Sequence, residues 1–183
     1  KRGRQLLRKR LEGDAIPLEP FVQSIAFDAT IYRAPRTAVF LSGETDAVPH
    51  ALLHNLKHNI MLHQRIAIVT VRVEDIPYVP EAERVAVASL AEGFYRIKVR
   101  YGFKDEPDIP RALELCASQE VAFNLMETSF FLGRETLIPK LGSEMALWRE
   151  KLFIAMFRNA GSAAGFFKLP PNRVVEMGTQ VVL

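Results

Sequence analysis

Between residues 94 and 103, apolar and cationic positions alternate: Tyr95, Ile97, Val99, Tyr101 and Phe103 take one parity, and Arg96, Lys98 and Arg100 the other. Successive side chains of a strand point to opposite faces, so this period of two predicts a strand with one face in a core and a basic face in water. The run Arg84–Leu90 before it is also extended, and with the Glu92-Gly93 turn the two predict an antiparallel hairpin. Upstream the period changes. Val48, Leu52, Leu56 and Ile60 recur every four residues with Leu53 adjoining, which predicts an amphipathic helix with Asp46 as its N-cap and Pro49 in its first turn. This helix lies between an extended run at Thr37–Leu41 and another at Arg65–Val73, so the three form a βαβ unit.

The remaining pattern is less regular. Asp108 or Pro110 to about Ser118 reads as a short helix with Leu113, Cys116 and Ala117 inward, and Thr128–Leu132 as a strand. Ser143–Asn159 reads as the longest helix, with Met145, Trp148, Leu152, Ala155 and Met156 on one face. Val174–Leu183 reads as a last strand, interrupted at Gly178. Residues 1–35 read as a linker: Gln5–Leu11 extends as a helix until Gly13 and Pro17 stop it. The later half, carrying Leu18, Phe21, Val22, Ile25 and Phe27, packs onto the domain formed by 36–183. The expected fold is a single mixed α/β domain, in which a mixed β-sheet made of the βαβ unit and the antiparallel hairpin has helices packed against it.

Composition narrows the class. With 49% hydrophobic and 25% charged residues, the chain is that of a globular domain, not of a disordered tail. Its longest apolar runs fall far short of the ~20 residues that span a bilayer. The basic start runs into Glu12, Gly13 and Asp14 where a secretory signal needs an apolar stretch, so a cytosolic setting is expected. The first residue is Lys, so an upstream portion is expected too. The lone Cys116 fits a small core residue. Lys1, Arg2, Arg4, Arg8, Lys9 and Arg10 form a basic cluster at the start. Taking these six from the 24 basic residues leaves 18 against 21 acidic ones, a net charge of −3, so the pI near 9.1 belongs to the first ten residues. A nucleic-acid binder spreads its cations over a folded face, and no such partner is expected here; a frayed terminus or a juxtamembrane segment explains the cluster.

Candidate chemistry is sparse. His50, His54 and His58 stack at a spacing of four, but roughly 200° around the helix from Leu52 and Leu56, so they face solvent and no metal site is assigned. Glu44 and Asp46 at the Ser42-Gly43 loop would repel a phosphate, and they suit helix capping. No nucleophile elbow, Cys–His pair or phosphate-binding glycine motif occurs, so no catalytic residue and no cofactor is assigned. The remaining candidate is the basic row Arg96, Lys98 and Arg100, with Arg72 alongside, which would meet the phosphates of a nucleotide or lipid headgroup; a solvated strand face is its ordinary explanation.

Longer phrases carry a resemblance. Leu53-His54-Asn55-Leu56-Lys57-His58-Asn59, Val73-Glu74-Asp75-Ile76-Pro77, Tyr101-Gly102-Phe103 with Pro107 to Leu113, Phe130 to Leu137, Trp148 to Phe153, Arg158-Asn159-Ala160 and Phe166 to Val181 follow one another in the order found in one family. On these phrases the chain resembles the C-terminal cytoplasmic region of potassium uptake transporters of the KUP/HAK/KT family. The resemblance implies a preceding transmembrane domain that carries potassium with protons, and a non-enzymatic accessory or regulatory role for this domain on the cytoplasmic side of the cell (inner) membrane. Lys1 to Arg10 would then lie against anionic lipid headgroups just inside the last membrane helix. A homodimer through exposed apolar edges is a further expectation. The competing expectation is a free-standing cytosolic α/β nucleotide-binding protein or enzyme.

Overall fold

The computed structural model describes residues 16–43, 46–138 and 162–182. Its centre is a six-stranded sheet in the order β3-β4-β2-β1-β5-β6. The strands are β1 (Tyr32–Ser42), β2 (Met61–Glu74), β3 (Val85–Ala91), β4 (Phe94–Gly102), β5 (Thr128–Ile138) and β6 (Val174–Val182). Five strands run parallel, and only β3 is antiparallel, hairpinned to β4 with Val87 opposite Ile97. The helices are α1 (Leu18–Ala26), α2 (His50–Asn59), the one-turn α3 (Glu81–Arg84), α4 (Ile109–Leu115) and α5 (Ala163–Phe166). No described helix is long and apolar enough to cross a membrane.

Alternation along the parallel strands gives the sheet two apolar faces, as expected where helices cover both sides. On the first face Ala38, Phe40, Ile66, Ile68 and Phe94 are buried with Leu18, Val22 and Ile25 of α1 and Ala51 and Leu52 of α2. Phe40 and Phe131, register partners on neighbouring strands, stack there with centroids 4.6 Å apart. On the second face Val39, Ala67, Val69, Ile97, Val99, Tyr101 and Phe130 meet Ile109, Ala112, Leu113 and Cys116 of α4 and its 3₁₀ extension. The mixed α/β sheet, the βαβ unit and the hairpin are thus present as expected. Cys116 is wholly buried, its thiol faces the Ala112 carbonyl, and loss of solvation pushes its pKa up to about 11, which suits an inert core residue.

Several local readings change. Pro17 precedes a helix: α1 begins at Leu18, whose N–H bonds the Asp46 carbonyl, and ends where the Arg33 guanidinium donates to the Ile25 and Ala26 carbonyls, while the expected Gln5–Leu11 helix lies outside the described residues. Phe27 lies beyond that end and is exposed. Asp46 is not the N-cap of α2; Pro49 takes that position without a side-chain bond, because the Asp46 carboxylate is engaged by Arg96. The α2 stripe turns towards Ala51 and Asn55. Asn55 is buried because it donates to the Met61 carbonyl and accepts from Asn59, whereas Ile60 has left the helix in a left-handed conformation and is exposed. β1 starts at Tyr32, ahead of Thr37, and a bulge at Pro35-Arg36 separates its two parts. Ala117 is exposed, and Gly178 pairs with Arg134 inside an unbroken β6. The helix expected over Ser143–Asn159 and the Lys1–Arg10 cluster lie outside the described residues.

Candidate functional site

β4 is the element that sorts charge from core. Tyr95, Ile97, Val99 and Tyr101 belong to the second face, and Arg96, Lys98 and Arg100 project from the first. The register sets their neighbours: Ile68 lies beside Arg96, Thr70 beside Lys98 and Arg72 beside Arg100 on β2, while Ala88 and Ala86 of β3 lie opposite Arg96 and Lys98. The small alanines leave the cations uncovered from that side. Arg72, Lys98 and Arg100 are therefore gathered at the carboxyl end of two adjacent strands, at spacings of about 5 to 7 Å between neighbouring positions.

The row is not uniform, and the expectation of one solvated face needs correcting. Arg96 is a clamp: its Nη2 lies 3.1 Å from Glu19 at the start of α1 and its Nη1 3.2 Å from Asp46, with only 19% of the side chain exposed. It ties α1 and the loop before α2 to β4. Arg100 holds the Glu74 carboxylate at 2.9 Å through Nε. Lys98 is exposed between them. Arg72, Lys98 and Arg100 thus form a basic patch beside the Glu74 carboxylate, able to meet a phosphate or carboxylate. The alternation in the sequence makes Arg96, Lys98 and Arg100 visible; the pairing of Arg96 with Glu19, 77 positions earlier, has no local signal.

A second charged cluster escaped sequence reading. Asp105, in the loop after β4, accepts from the Val79 N–H at 2.9 Å and the Gly102 N–H at 2.7 Å, and its other oxygen lies 3.1 Å from Arg84 Nη2. These bonds, led by that from Val79, hold its carboxyl below the usual range. Arg84 also donates to the Val79 carbonyl and lies over the Tyr101 ring at 5.2 Å. The Tyr101 hydroxyl donates to the Asp108 carbonyl and accepts the Asp108 N–H, while burial raises its pKa. Gly102 permits the tight join, since a Cβ there would fall 2.5 Å from the Ile76 carbonyl oxygen. In the sequence, Asp105, Glu106 and Asp108 look like ordinary loop carboxylates.

The histidine stripe is only partly in solvent: His50 and His54 are half-buried and His58 is exposed, with His54 and His58 rings 5.6 Å apart. Among the described residues no three metal-binding side chains converge.

Comparison with known proteins follows the same chain end to end. Residues 35–183 match the family described as the K+ potassium transporter C-terminal domain. The chain is 59% identical over all its 183 residues to the probable potassium transport system protein Kup of Aromatoleum aromaticum, covering 28% of that protein. It is 57% identical over the same length to the probable potassium transport system protein Kup 1 of Dechloromonas aromatica, covering 29% of it. To the Kup protein of Zymomonas mobilis it is 52% identical over 182 residues, 28% of that protein. The chain thus spans under a third of the length of these relatives. No solved structure matches it.

Proposed function

The chain belongs to the K+ potassium transporter C-terminal domain family, and on that premise we propose that it is the accessory domain of a potassium uptake transporter, acting from the cytoplasmic side of the membrane. The observation that carries this reading is the whole-length identity to potassium transport system proteins that are more than three times longer. In this reading the ion path lies in the preceding transmembrane domain, and this domain contributes stability, assembly or control, with no catalysis of its own. Lys1, Arg2, Arg4, Arg8, Lys9 and Arg10 meet anionic headgroups where the chain leaves the bilayer.

Control acts through the basic patch of Arg72, Lys98 and Arg100, which takes a phosphate-bearing anion; Arg96 is occupied in holding α1. An anion bound there shifts transport only by favouring one conformation of the whole protein. β6, whose described pairing is with β5 alone, offers an edge through which two copies join as a homodimer. Sedimentation of the chain checks this, with a dimer expected and a monomer at all concentrations against it.

Reading the in-frame coding sequence ahead of Lys1 tests the central assignment. About a dozen apolar segments of ~20 residues support it. A start codon close to Lys1 overturns it and returns the reading to a free-standing α/β protein.

A further inference from the structure

We infer that Gln119 seals the β3 edge of the sheet, its side-chain amide occupying the hydrogen-bonding place that a strand from a second copy of this chain would otherwise take. β3 is the outermost strand on its side, with β4 as its one neighbour among the described strands. The Val87 N–H donates to Gln119 Oε1 at 3.0 Å, and Gln119 Nε2 donates to the Val85 carbonyl at 2.6 Å. A carbonyl and the N–H two residues on are the groups through which an edge strand takes a new neighbour, and one primary amide satisfies both as that neighbour's backbone would. In an antiparallel pair alternate residues turn these groups outward, so the Val87 carbonyl and the Ser89 N–H form the next place on the same edge. Beyond it the register shifts between Ser89 and Ala91 and the regular edge ends. With Gln119 in position, one regular place is left, too short to hold a strand.

The edge needs such a seal. Val85-Ala86-Val87-Ala88-Ser89-Leu90-Ala91 carries no charge and no proline, the composition with which exposed strands add to one another. Ala86, Ala88 and Ser89 are small and exposed, so no side chain bars the approach of another backbone. The nearest cation, Arg84, is turned inward to Asp105. The partner that fits is a second copy, because two identical uncharged edges meet antiparallel about a twofold axis with complementary groups on both sides. Gln119 is held ready against the edge. It ends the 3₁₀ turn Cys116–Gln119, which is rooted by the wholly buried Cys116 and closed by bonds from the Glu120 N–H to the Ala117 carbonyl and the Val121 N–H to the Cys116 carbonyl. Carried on a fixed turn of the same chain, the amide competes with an incoming strand at every protein concentration. If β6 joins two copies as proposed above, a sealed β3 also makes the assembly close at two; with β3 open, each copy would have two joining edges and the assembly would not close.

Gln119→Met keeps the length of the side chain and removes the amide. In sedimentation velocity of the 183-residue chain, this variant should reach about twice the mass of the unaltered chain or more, rising with concentration. Adding Ser89→Lys to it should return the mass to the unaltered value, since a charge on the edge bars the second strand. At concentrations too low for association, hydrogen exchange at the Val87 amide should be about 10-fold faster in Gln119→Met, the effect of one lost hydrogen bond. Far-UV circular dichroism checks the fold, and Gln119→Asn, one methylene too short to reach the edge, takes the place of Gln119→Met if that variant does not fold. The unaltered chain is the reference throughout, so the result is independent of any pairing through β6. A folded variant with the mass of the unaltered chain, or with an unchanged Val87 exchange rate, overturns the inference. So does a rise in mass that Ser89→Lys leaves in place, which would trace the association to another surface.

Discussion

Around Asp105 and around Arg100, charged side chains meet at the same end of β4 under different conditions. At Asp105 the carboxylate is only 10% exposed and Arg84 16%, and each is matched by backbone groups, an opposite charge or an aromatic ring. At Arg100, Lys98 and Arg72 the side chains stand on an open strand face, where Arg100 holds Glu74 and Lys98 is exposed. The first arrangement turns its bonds inward, though the buried Arg84 Nε has no partner among the described residues, and fixes the loops at 75–79 and 103–108 to the sheet. The second leaves the Lys98 ammonium in solvent. A buried, multiply bonded charge cluster supports the architecture, whereas a row of one sign exposed on a rigid strand is where a ligand of the other sign finds attraction without any rearrangement.

The contrast is open to direct perturbation. Arg84→Ala should have the largest effect, lowering stability by about 2–3 kcal/mol in urea denaturation, somewhat under the cost of breaking a fully buried pair because some water reaches this one. Asp105 should give the cluster a pH signature. Its folded pKa lies below the ordinary 3.8, so its contribution is complete above that value and is lost as pH falls through the lower folded one. Melting curves between about pH 5 and pH 2 should therefore show Asp105→Asn destabilised at the upper end and converging on the unaltered chain at the lower. Equal separation at every pH would contradict the assignment. Arg96→Gln should cost about 0.5–1 kcal/mol, since Glu19 and Asp46 are largely solvated. Arg72, Lys98 and Arg100 changed together to Gln should alter stability least, by no more than about 0.5 kcal/mol, yet abolish binding of inorganic pyrophosphate measured by calorimetry. Retained binding would remove the row as the anion site.

Much of this was legible in the chain. The period of two over 94–103 located β4 and its basic face, because alternation is enforced wherever one side of a strand is buried. The βαβ unit and the hairpin followed from period and turn residues. The α1 helix was missed because its buried residues, Leu18, Val22 and Ile25, sit in a segment that Pro17 and Pro20 mark as irregular, and what holds it is the distant Asp46 carbonyl and Arg33. Asn55 was missed for a similar reason: a polar residue enters an apolar stripe only when a partner such as the Met61 carbonyl awaits it, and partners are tertiary facts. The division of labour within the basic row was likewise invisible, since Arg96 and Lys98 look alike until α1 is in place.

The most direct test of the account is potassium uptake by the full-length protein in cells lacking other uptake systems, with Arg72, Lys98 and Arg100 intact or all changed to Gln. At equal membrane abundance the account predicts that neutralising the row shifts the uptake rate by about 5-fold or more, the lower range of coupling between a control site and its target. Uptake that is the same with and without the three cations would contradict it.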